Sequence, residues 1–236
     1  MGLTLQKMYK VLLTHFGHQH WWPVDEHYHK ENNSDPRFEI IVGAILTQNT
    51  AWSNVEKALE NLKKQKMLTI QTIADSDIYN LKTLIEPSGF FNQKAIRLKN
   101  ATAYLQKKYR GNLNRFFHRE LTEIRTELLS LSGIGPETAD SILLYAGDHP
   151  IFVVDAYTRR ISTRLPLSIN GDTYEDIQHY FETQLQETLS LKKIIPVYKE
   201  LHALLVEHAK HYCSKKNPFC NECPLKTHCS SAVFLS

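Results

Sequence analysis

The segment Leu131–Pro136 (LSGIGP) interrupts the chain between two stretches with helical hydrophobic spacing. Gly133 and Gly135 allow positive φ angles and close backbone approach. Pro136 suits the first position of a following helix, where its missing N–H costs nothing. The N–H groups at such a helix start can hold a phosphate. By itself, however, this turn favours a plain helix–helix connection, so a phosphate site needs support from the rest of the sequence.

The helical spacing on either side of this turn recurs through most of the chain. Turn signals separate the apolar stripes at residues 87–89, 110–112, 133–135 and 170–172. Ile151–Val154 is strand-like but isolated, and a lone strand has no partner. The sequence therefore predicts an all-α fold, with these stripes: Phe38, Ile41, Val42, Ile45 and Leu46; Val55, Ala58, Leu59 and Leu62; Ala95, Leu98 and Leu105; Leu121, Ile124 and Leu128; Ala139, Ile142, Leu143 and Ala146; Ile177, Phe181 and Leu185; Tyr198, Leu201 and Leu205.

The composition is that of an ordinary globular protein. The chain has 236 residues, of which 42% are hydrophobic and 22% charged, with nine glycines and nine prolines. These values argue against disorder and against a turn-rich sandwich. No apolar run approaches the roughly 18 residues of a membrane-spanning helix. The first ten residues lack the apolar core of a signal peptide, so we expect a cytoplasmic protein, associated with the nucleoid if it is prokaryotic.

Charge is distributed unevenly along a chain whose formal net charge is only +3. Residues 92–110 contain six basic side chains and no acid, and residues 192–236 contain seven lysines against three glutamates. A single basic run is usually a solvated helix face. Two such regions on a nearly neutral chain suggest a polyanionic partner. Lys215 and Lys216 belong to the second region.

All four cysteines lie near the C-terminus, at Cys213, Cys220, Cys223 and Cys229. Four thiols within 17 residues of a chain expected in the cytoplasm indicate a metal site rather than disulfides. Structural zinc sites usually contain two CxxC pairs, and only Cys220 and Cys223 form one here. The spacing favours an iron–sulfur cluster, although four thiolates suit either metal.

Asp155 follows the apolar run and stands where another helix should begin. The simplest interpretation is an N-cap. A helix start also favours the ionised carboxylate. In a cleft, such a carboxylate could stabilise an oxocarbenium-like sugar cation and orient water.

The segment from Leu131 to Asp155, followed by four cysteines spaced x6, x2 and x5, resembles the endonuclease III superfamily of helix-hairpin-helix DNA glycosylases. The resemblance implies two all-α domains with a DNA cleft between them. A six-helix barrel would span residues 35–150, and residues 1–34 and 151–236 would form the second domain around a 4Fe–4S cluster. It further implies that the four cysteines hold this cluster, that Asp155 is catalytic, and that Gly133, Gly135 and Thr138 belong to a phosphate-gripping hairpin.

One departure bears on the reaction. Bifunctional members of this superfamily carry a Schiff-base lysine in the hairpin, two residues after its second glycine, where this chain has Glu137. No lysine occurs between Lys108 and Lys192. A carboxylate cannot form an imine with the sugar. We therefore predict a monofunctional glycosylase, in which water attacks the sugar and an abasic site remains.

A closer resemblance, to the 3-methyladenine DNA glycosylase III branch, rests on three segments: Trp21-Trp22-Pro23, residues 43–50 (GAILTQNT) and residues 87–95 (PSGFFNQKA). It implies a base pocket formed by Trp21, Trp22, Pro23 and Trp52. Gln48 would fill the vacated base stack, and Phe90 would wedge the opposite strand. The best-known form of that branch lacks the cluster, whereas this chain has its ligands.

Three functions remain open on sequence grounds. The first is removal of alkylated purines such as 3-methyladenine. The second is removal of oxidised or mismatched pyrimidines, as by endonuclease III. The third is a non-catalytic iron–sulfur DNA-binding protein, against which Asp155 argues. In the first two the substrate is double-stranded DNA with a damaged base, and we expect the protein to act as a monomer.

Overall fold

The computed structural model describes residues 3–234, and the described part of the chain is helical without any strand. The predicted all-α class is confirmed, and each predicted stripe lies on a helix. A π-helical turn (Ile142–Ala146) continues α10, and short 3₁₀ turns lie at Glu86–Ser88, Lys226–His228 and Ser230–Phe234. The helices are α1 (Leu5–Phe16), α2 (Glu26–Glu31), α3 (Pro36–Leu46), α4 (Trp52–Lys64), α5 (Ile70–Asp75), α6 (Ile78–Ile85), α7 (Phe91–Tyr109), α8 (Leu113–Phe117), α9 (Leu121–Leu129), α10 (Pro136–Ser141), α11 (Ala156–Arg164), α12 (Tyr174–Gln186) and α13 (Leu191–His211).

The chain divides into two compact units, Trp22–His149 and a second unit made of Met1–Trp21 with Pro150–Ser236. In the first, which we call the central unit, α3 is buried over almost its whole length and packs against α4, α7, α10 and the π-helical turn. Helix α7 packs in turn against α5, α6 and α8. The core of this unit therefore surrounds α3 and α7, from which the loops carrying Gln48 and Phe90 emerge.

The second unit, which we call the terminal unit, is built from α1, α11, α12 and α13. Its core contains a stacked pair of rings, Phe152 and Phe181, with their centroids 4.6 Å apart. The strand-like segment Ile151–Val154 is buried but forms no strand. Side chains of α12 satisfy its backbone instead: Phe152 N donates to Glu182, and Gln178 donates to Phe152 O. A buried segment of this kind shows the same run of apolar residues as a strand.

The central unit begins at Trp22, whereas the sequence predicts its first residue at 35. A buried ionic cluster attaches the intervening segment to α3. Glu39 on α3 accepts hydrogen bonds from His29 Nε2 at 2.8 Å and from Asp25 N at 3.3 Å, and it pairs with Lys63 Nζ at 2.7 Å. Residues 22–34 therefore pack with the central unit because a buried carboxylate needs these partners.

No helix among residues 3–234 is both long and apolar enough to cross a membrane.

Candidate active site and cysteine loop

The predicted hairpin connects α9 to α10 in the central unit. Gly133 has φ +82°, a left-handed conformation that favours glycine, whereas Gly135 is extended. A Cβ on Gly133 would also clash with the side chain of Arg97, which would have to shift. Pro136 begins α10, as the sequence predicts. Thr138 is buried on the first turn of this helix.

The side chain of Gln48 is tied to this hairpin. Its Nε2 donates to Gly133 O and to Thr138 Oγ1, both at 2.9 Å, and its Oε1 accepts from Arg97. The structure thus brings Gln48, Gly133 and Thr138 together. The Gln48 amide is thus engaged, and these bonds would be exchanged if Gln48 filled a vacated base stack, as the sequence predicts.

Phe90 combines exposure with backbone strain. It is 63% exposed and has φ +46°, directly after Gly89 with φ +67°. A positive φ is unusual for a bulky residue, and strain of this kind concentrates at functional sites. Both properties agree with the predicted role of Phe90 as a wedge.

The first basic region, residues 92–110, is only in part the open cationic surface that the sequence suggests. Lys94 is fully buried and donates to two backbone carbonyls. Lys99 donates to three carbonyls at the end of α5. Lys108 pairs with Glu127 at 2.6 Å. Lys94 and Lys99 thus serve the fold, because their carbonyl partners need donors, whereas Lys108 remains exposed.

Two of the predicted base-pocket residues meet in the central unit. The rings of Trp22 and Trp52 lie 5.3 Å apart and perpendicular, and Tyr145 adds a third ring 5.4 Å from Trp22. A Cβ on Gly43 would lie 2.8 Å from the Trp22 ring. Glycine at position 43 therefore makes room for Trp22 against α3.

The other two residues predicted for the base pocket are placed differently. Trp21 is half-buried and belongs to the terminal unit, whereas Pro23 is exposed. The sequence missed Tyr145, since its position in an apolar helical stripe looks like ordinary core.

Asp155 is buried at the start of α11 in the terminal unit. Its Oδ1 accepts from Thr158 N at 2.6 Å, so it is an N-cap, as its position predicts. Its Oδ2 lies 3.7 Å from Nε2 of His202 on α13. Burial raises the pKa of this carboxyl, but His202 and the Thr158 N–H outweigh it, and the pKa is lowered overall. The carboxylate is therefore held ionised.

Two other carboxylates adjoin the hairpin in the central unit. Glu137 is exposed on the first turn of α10. Asp140, fully buried, is bound by Arg125 through Nε at 2.7 Å and Nη2 at 3.1 Å. Asp140 is thus held by a bidentate guanidinium, whereas the neighbours of Asp155 are an imidazole and a backbone N–H.

The four cysteines line a single cavity in the terminal unit, together with His208 and Arg164. All four are free thiols. The Nη1 of Arg164 lies 3.2 Å from Sγ of Cys213, and Nε2 of His208 lies 3.8 Å from Sγ of Cys223. Within residues 3–234 no three His, Cys, Asp or Glu side chains converge closely enough to hold a single metal ion.

The end of α11 holds the cysteine loop in place. Arg164 donates to Ser214 O at 2.8 Å and to Lys215 O at 3.2 Å, and Arg160 donates to Cys213 O at 2.7 Å. Lys215 and Lys216 are exposed on this loop, as a role in contacting DNA requires. The same helix thus begins at Asp155 and ends at the cysteine loop.

Comparison with known proteins identifies the family. The HhH-GPD superfamily of base excision DNA repair proteins matches residues 42–187. A Methanocaldococcus jannaschii protein, named as a candidate DNA repair glycosylase, is 45% identical over 229 residues, 96% of each chain. Endonuclease III of Thermotoga maritima is 32% identical over 85% of this chain and 84% of its own.

Solved structures agree with this assignment. The H. pylori 3-methyladenine DNA glycosylase bound to 1,N6-ethenoadenine has a TM-score of 0.70 at 30% identity, covering 88% of this chain and 98% of its own. A non-covalent endonuclease III–DNA complex has a TM-score of 0.72 at 20% identity, covering 99% and 98%. The second likeness concerns the fold alone. The chain therefore belongs to the HhH-GPD superfamily of base excision DNA repair proteins, and it is a DNA glycosylase.

Proposed function

We propose that this glycosylase removes alkylated purines such as 3-methyladenine from double-stranded DNA, by hydrolysis and without strand cleavage. The observation that carries the proposal is the cluster of Trp22, Trp52 and Tyr145 packed against Gly43. The 30% identity to the H. pylori 3-methyladenine DNA glycosylase supports it independently.

The aromatic cluster suits a cationic base. Methylation at N3 places positive charge on adenine and weakens its glycosidic bond. Electron-rich rings attract such a cation through their faces, and Trp is the strongest of the aromatic side chains in this respect. Stacking also offsets the cost of flipping the base out of the duplex. An activated leaving group requires little protonation, so one carboxylate suffices for the reaction.

Asp155 would supply that carboxylate. Its lowered pKa keeps it ionised, which lets it stabilise the oxocarbenium-like sugar as the base departs and orient the attacking water. The Thr158 N–H holds the carboxylate in position, and His202 lies 3.7 Å from its Oδ2.

The hairpin carries Glu137 where a Schiff-base mechanism needs an amine. The absence of a nucleophilic lysine at this position supports hydrolysis, after which the abasic strand remains intact. We expect that borohydride does not trap a covalent complex between the protein and DNA.

The cysteine loop suits a 4Fe–4S cluster held by Cys213, Cys220, Cys223 and Cys229. Four free thiols line one cavity, and four cysteine thiolates are the usual ligands of such a cluster. The guanidinium of Arg164 lies beside Cys213 Sγ, where a positive charge is compatible with a thiolate ligand. His208 lines the same cavity, and its Nε2 lies 3.8 Å from Sγ of Cys223. When bound, the cluster would cross-link the loop and so order Lys215 and Lys216.

Replacing Trp52 with alanine tests the pocket. Base–aromatic stacking is worth about 1–3 kcal/mol, so excision of 3-methyladenine should slow by about 5- to 150-fold. Binding to undamaged duplex should change less, since it depends on phosphate contacts. The control is Phe117→Ala, which removes a buried ring of the same unit that packs on Phe116.

The control should lower the melting temperature while leaving excision per folded molecule near the wild-type value. If Trp52→Ala behaves in the same way as Phe117→Ala, Trp52 is only a core residue and the pocket is placed wrongly.

The second candidate function is removal of oxidised or mismatched pyrimidines. The 32% identity to Thermotoga maritima endonuclease III favours it. A wild-type protein that leaves methylated DNA untouched but releases an oxidised pyrimidine would establish this candidate in place of the first.

A further inference from the structure

Lys94 is a buried cation with no place in the proposed reaction. It lies on the first turn of α7 and is 0% exposed. Its Nζ donates to Leu46 O and to Ser88 O, both at 2.7 Å. Burial, with a smaller contribution from Arg97, lowers its pKa to about 8. Burying an ammonium group is costly unless it is well hydrogen-bonded, so these two bonds matter to the fold around them.

The two carbonyls belong to the loops that carry the proposed DNA-penetrating side chains. Leu46 is the last residue of α3, and Gln48 follows two residues later. Ser88 ends a 3₁₀ turn, and Phe90 follows two residues later. Lys94 thus connects the two loops directly, at the residues where each loop begins.

Both loops contain residues with positive φ next to this connection, and the conformation of Phe90 is strained. Asn49 has φ +53°, and Gly89 and Phe90 have φ +67° and +46° in succession. A left-handed conformation is costly for a bulky residue such as Phe90 and persists only when the surroundings determine it strongly. Phe90 is held from both sides, because its own carbonyl accepts from Lys94 N at 3.1 Å while Lys94 Nζ fixes Ser88.

We propose that Lys94 is a positioning residue for base extrusion: its side chain fixes the spacing of the Gln48 loop and the Phe90 turn, so that both enter the DNA stack together. This inference rests on the proposed function. It assigns to Lys94 the flipping step and not the hydrolysis, since its side chain bonds to the Gln48 loop and the Phe90 turn.

Helix α7 provides a matched control in Lys99. This lysine also donates to backbone carbonyls, those of Ala74 and Ser76 at 2.6 Å and of Ile73 at 3.2 Å. These carbonyls lie at the end of α5, away from Gln48 and Phe90 in the sequence. Lys99→Met therefore removes the same chemistry without loosening the two loops.

The experiment compares two substrates under single-turnover conditions. In one, 3-methyladenine is paired within a duplex; in the other, it lies opposite a one-nucleotide gap and is already unpaired, which reduces the cost of extrusion. Lys94→Met should excise the paired lesion about tenfold or more slowly than the wild type and the unpaired lesion within about twofold of it. Lys99→Met should keep the wild-type ratio of the two rates. Circular dichroism at 10 °C confirms that each variant is folded.

A Lys94→Met protein that is folded and keeps the wild-type ratio overturns the proposal, as does an equal loss on both substrates. If Lys94→Met does not fold, Lys94→Gln replaces it, and Phe90→Ala and Gln48→Ala are measured alongside. Should both loop variants keep the wild-type ratio, there is nothing for Lys94 to position and the proposal is wrong. Failure of the wild type to release any base from either substrate is a different result, which refutes the proposed function itself.

Discussion

Asp155→Asn removes one negative charge and almost nothing else. Asparagine is as good an N-cap as aspartate, so the bond from Thr158 N can persist and α11 should keep its start. What disappears is the attraction between the carboxylate and a developing sugar cation. At a separation of about 4 Å and an effective dielectric constant of about 20, that attraction is about 4 kcal/mol. Since about 1.4 kcal/mol corresponds to a factor of ten, excision should slow by about 10²- to 10³-fold.

The assay is single-turnover base release with enzyme in excess, accompanied by a melting curve and a binding titration on undamaged duplex. Asp140→Asn is the control, because Asp140 is another buried carboxylate but is engaged by Arg125. It should melt at a lower temperature yet excise within about twofold of the wild type per folded molecule. Normal excision by Asp155→Asn together with a large loss in Asp140→Asn would show that the catalytic acid has been chosen wrongly.

Three further predictions concern the pH dependence of excision, the iron–sulfur cluster, and the buried ionic cluster around Glu39. His202→Leu should move the acidic limb of the excision–pH profile to higher pH, because the pKa of Asp155 rises without its neighbour and the active, ionised form is lost earlier as pH falls; an unchanged limb contradicts this. Protein purified anaerobically should contain about four irons per chain and absorb near 400 nm, Cys220→Ser should lose both, and stoichiometric zinc without iron would exclude the cluster. Glu39→Gln should destabilise the protein by about 2 kcal/mol at pH 7. The lowered pKa of Glu39 means that its contribution is present above pH ~4.3 and lost as pH falls through the folded pKa, so variant and wild-type stabilities should converge in acid.

Local sequence signals were sufficient for the helices and the hairpin. The glycines and the proline of residues 133–136 separate two amphipathic stripes. Both the end of the first helix and the start of the next at Pro136 follow from the backbone preferences of these residue types. Asp155 was predictable as an N-cap for the same reason. Such features depend on a few neighbouring residues, so they can be read without knowledge of the tertiary structure.

Features that depend on distant contacts could not be predicted. Lys94 belongs to a basic run, and nothing in the run distinguishes it from an exposed lysine; its burial is decided by the carbonyls of Leu46 and Ser88. His202 lies between core positions of α13, and only the folded structure places its ring beside the Asp155 carboxylate. Tyr145 is likewise hidden within an apolar stripe.

The most direct test of the central claim is analysis of the products from duplexes that each contain a single lesion. The released base is identified by mass spectrometry, and strand integrity is measured before and after hot alkali. We predict release of 3-methyladenine as the free base, an intact strand before alkali, and cleavage at the abasic site after it. Release of an oxidised pyrimidine or uracil with no release of 3-methyladenine would contradict the assignment of substrate, and cleavage before alkali would contradict the monofunctional mechanism.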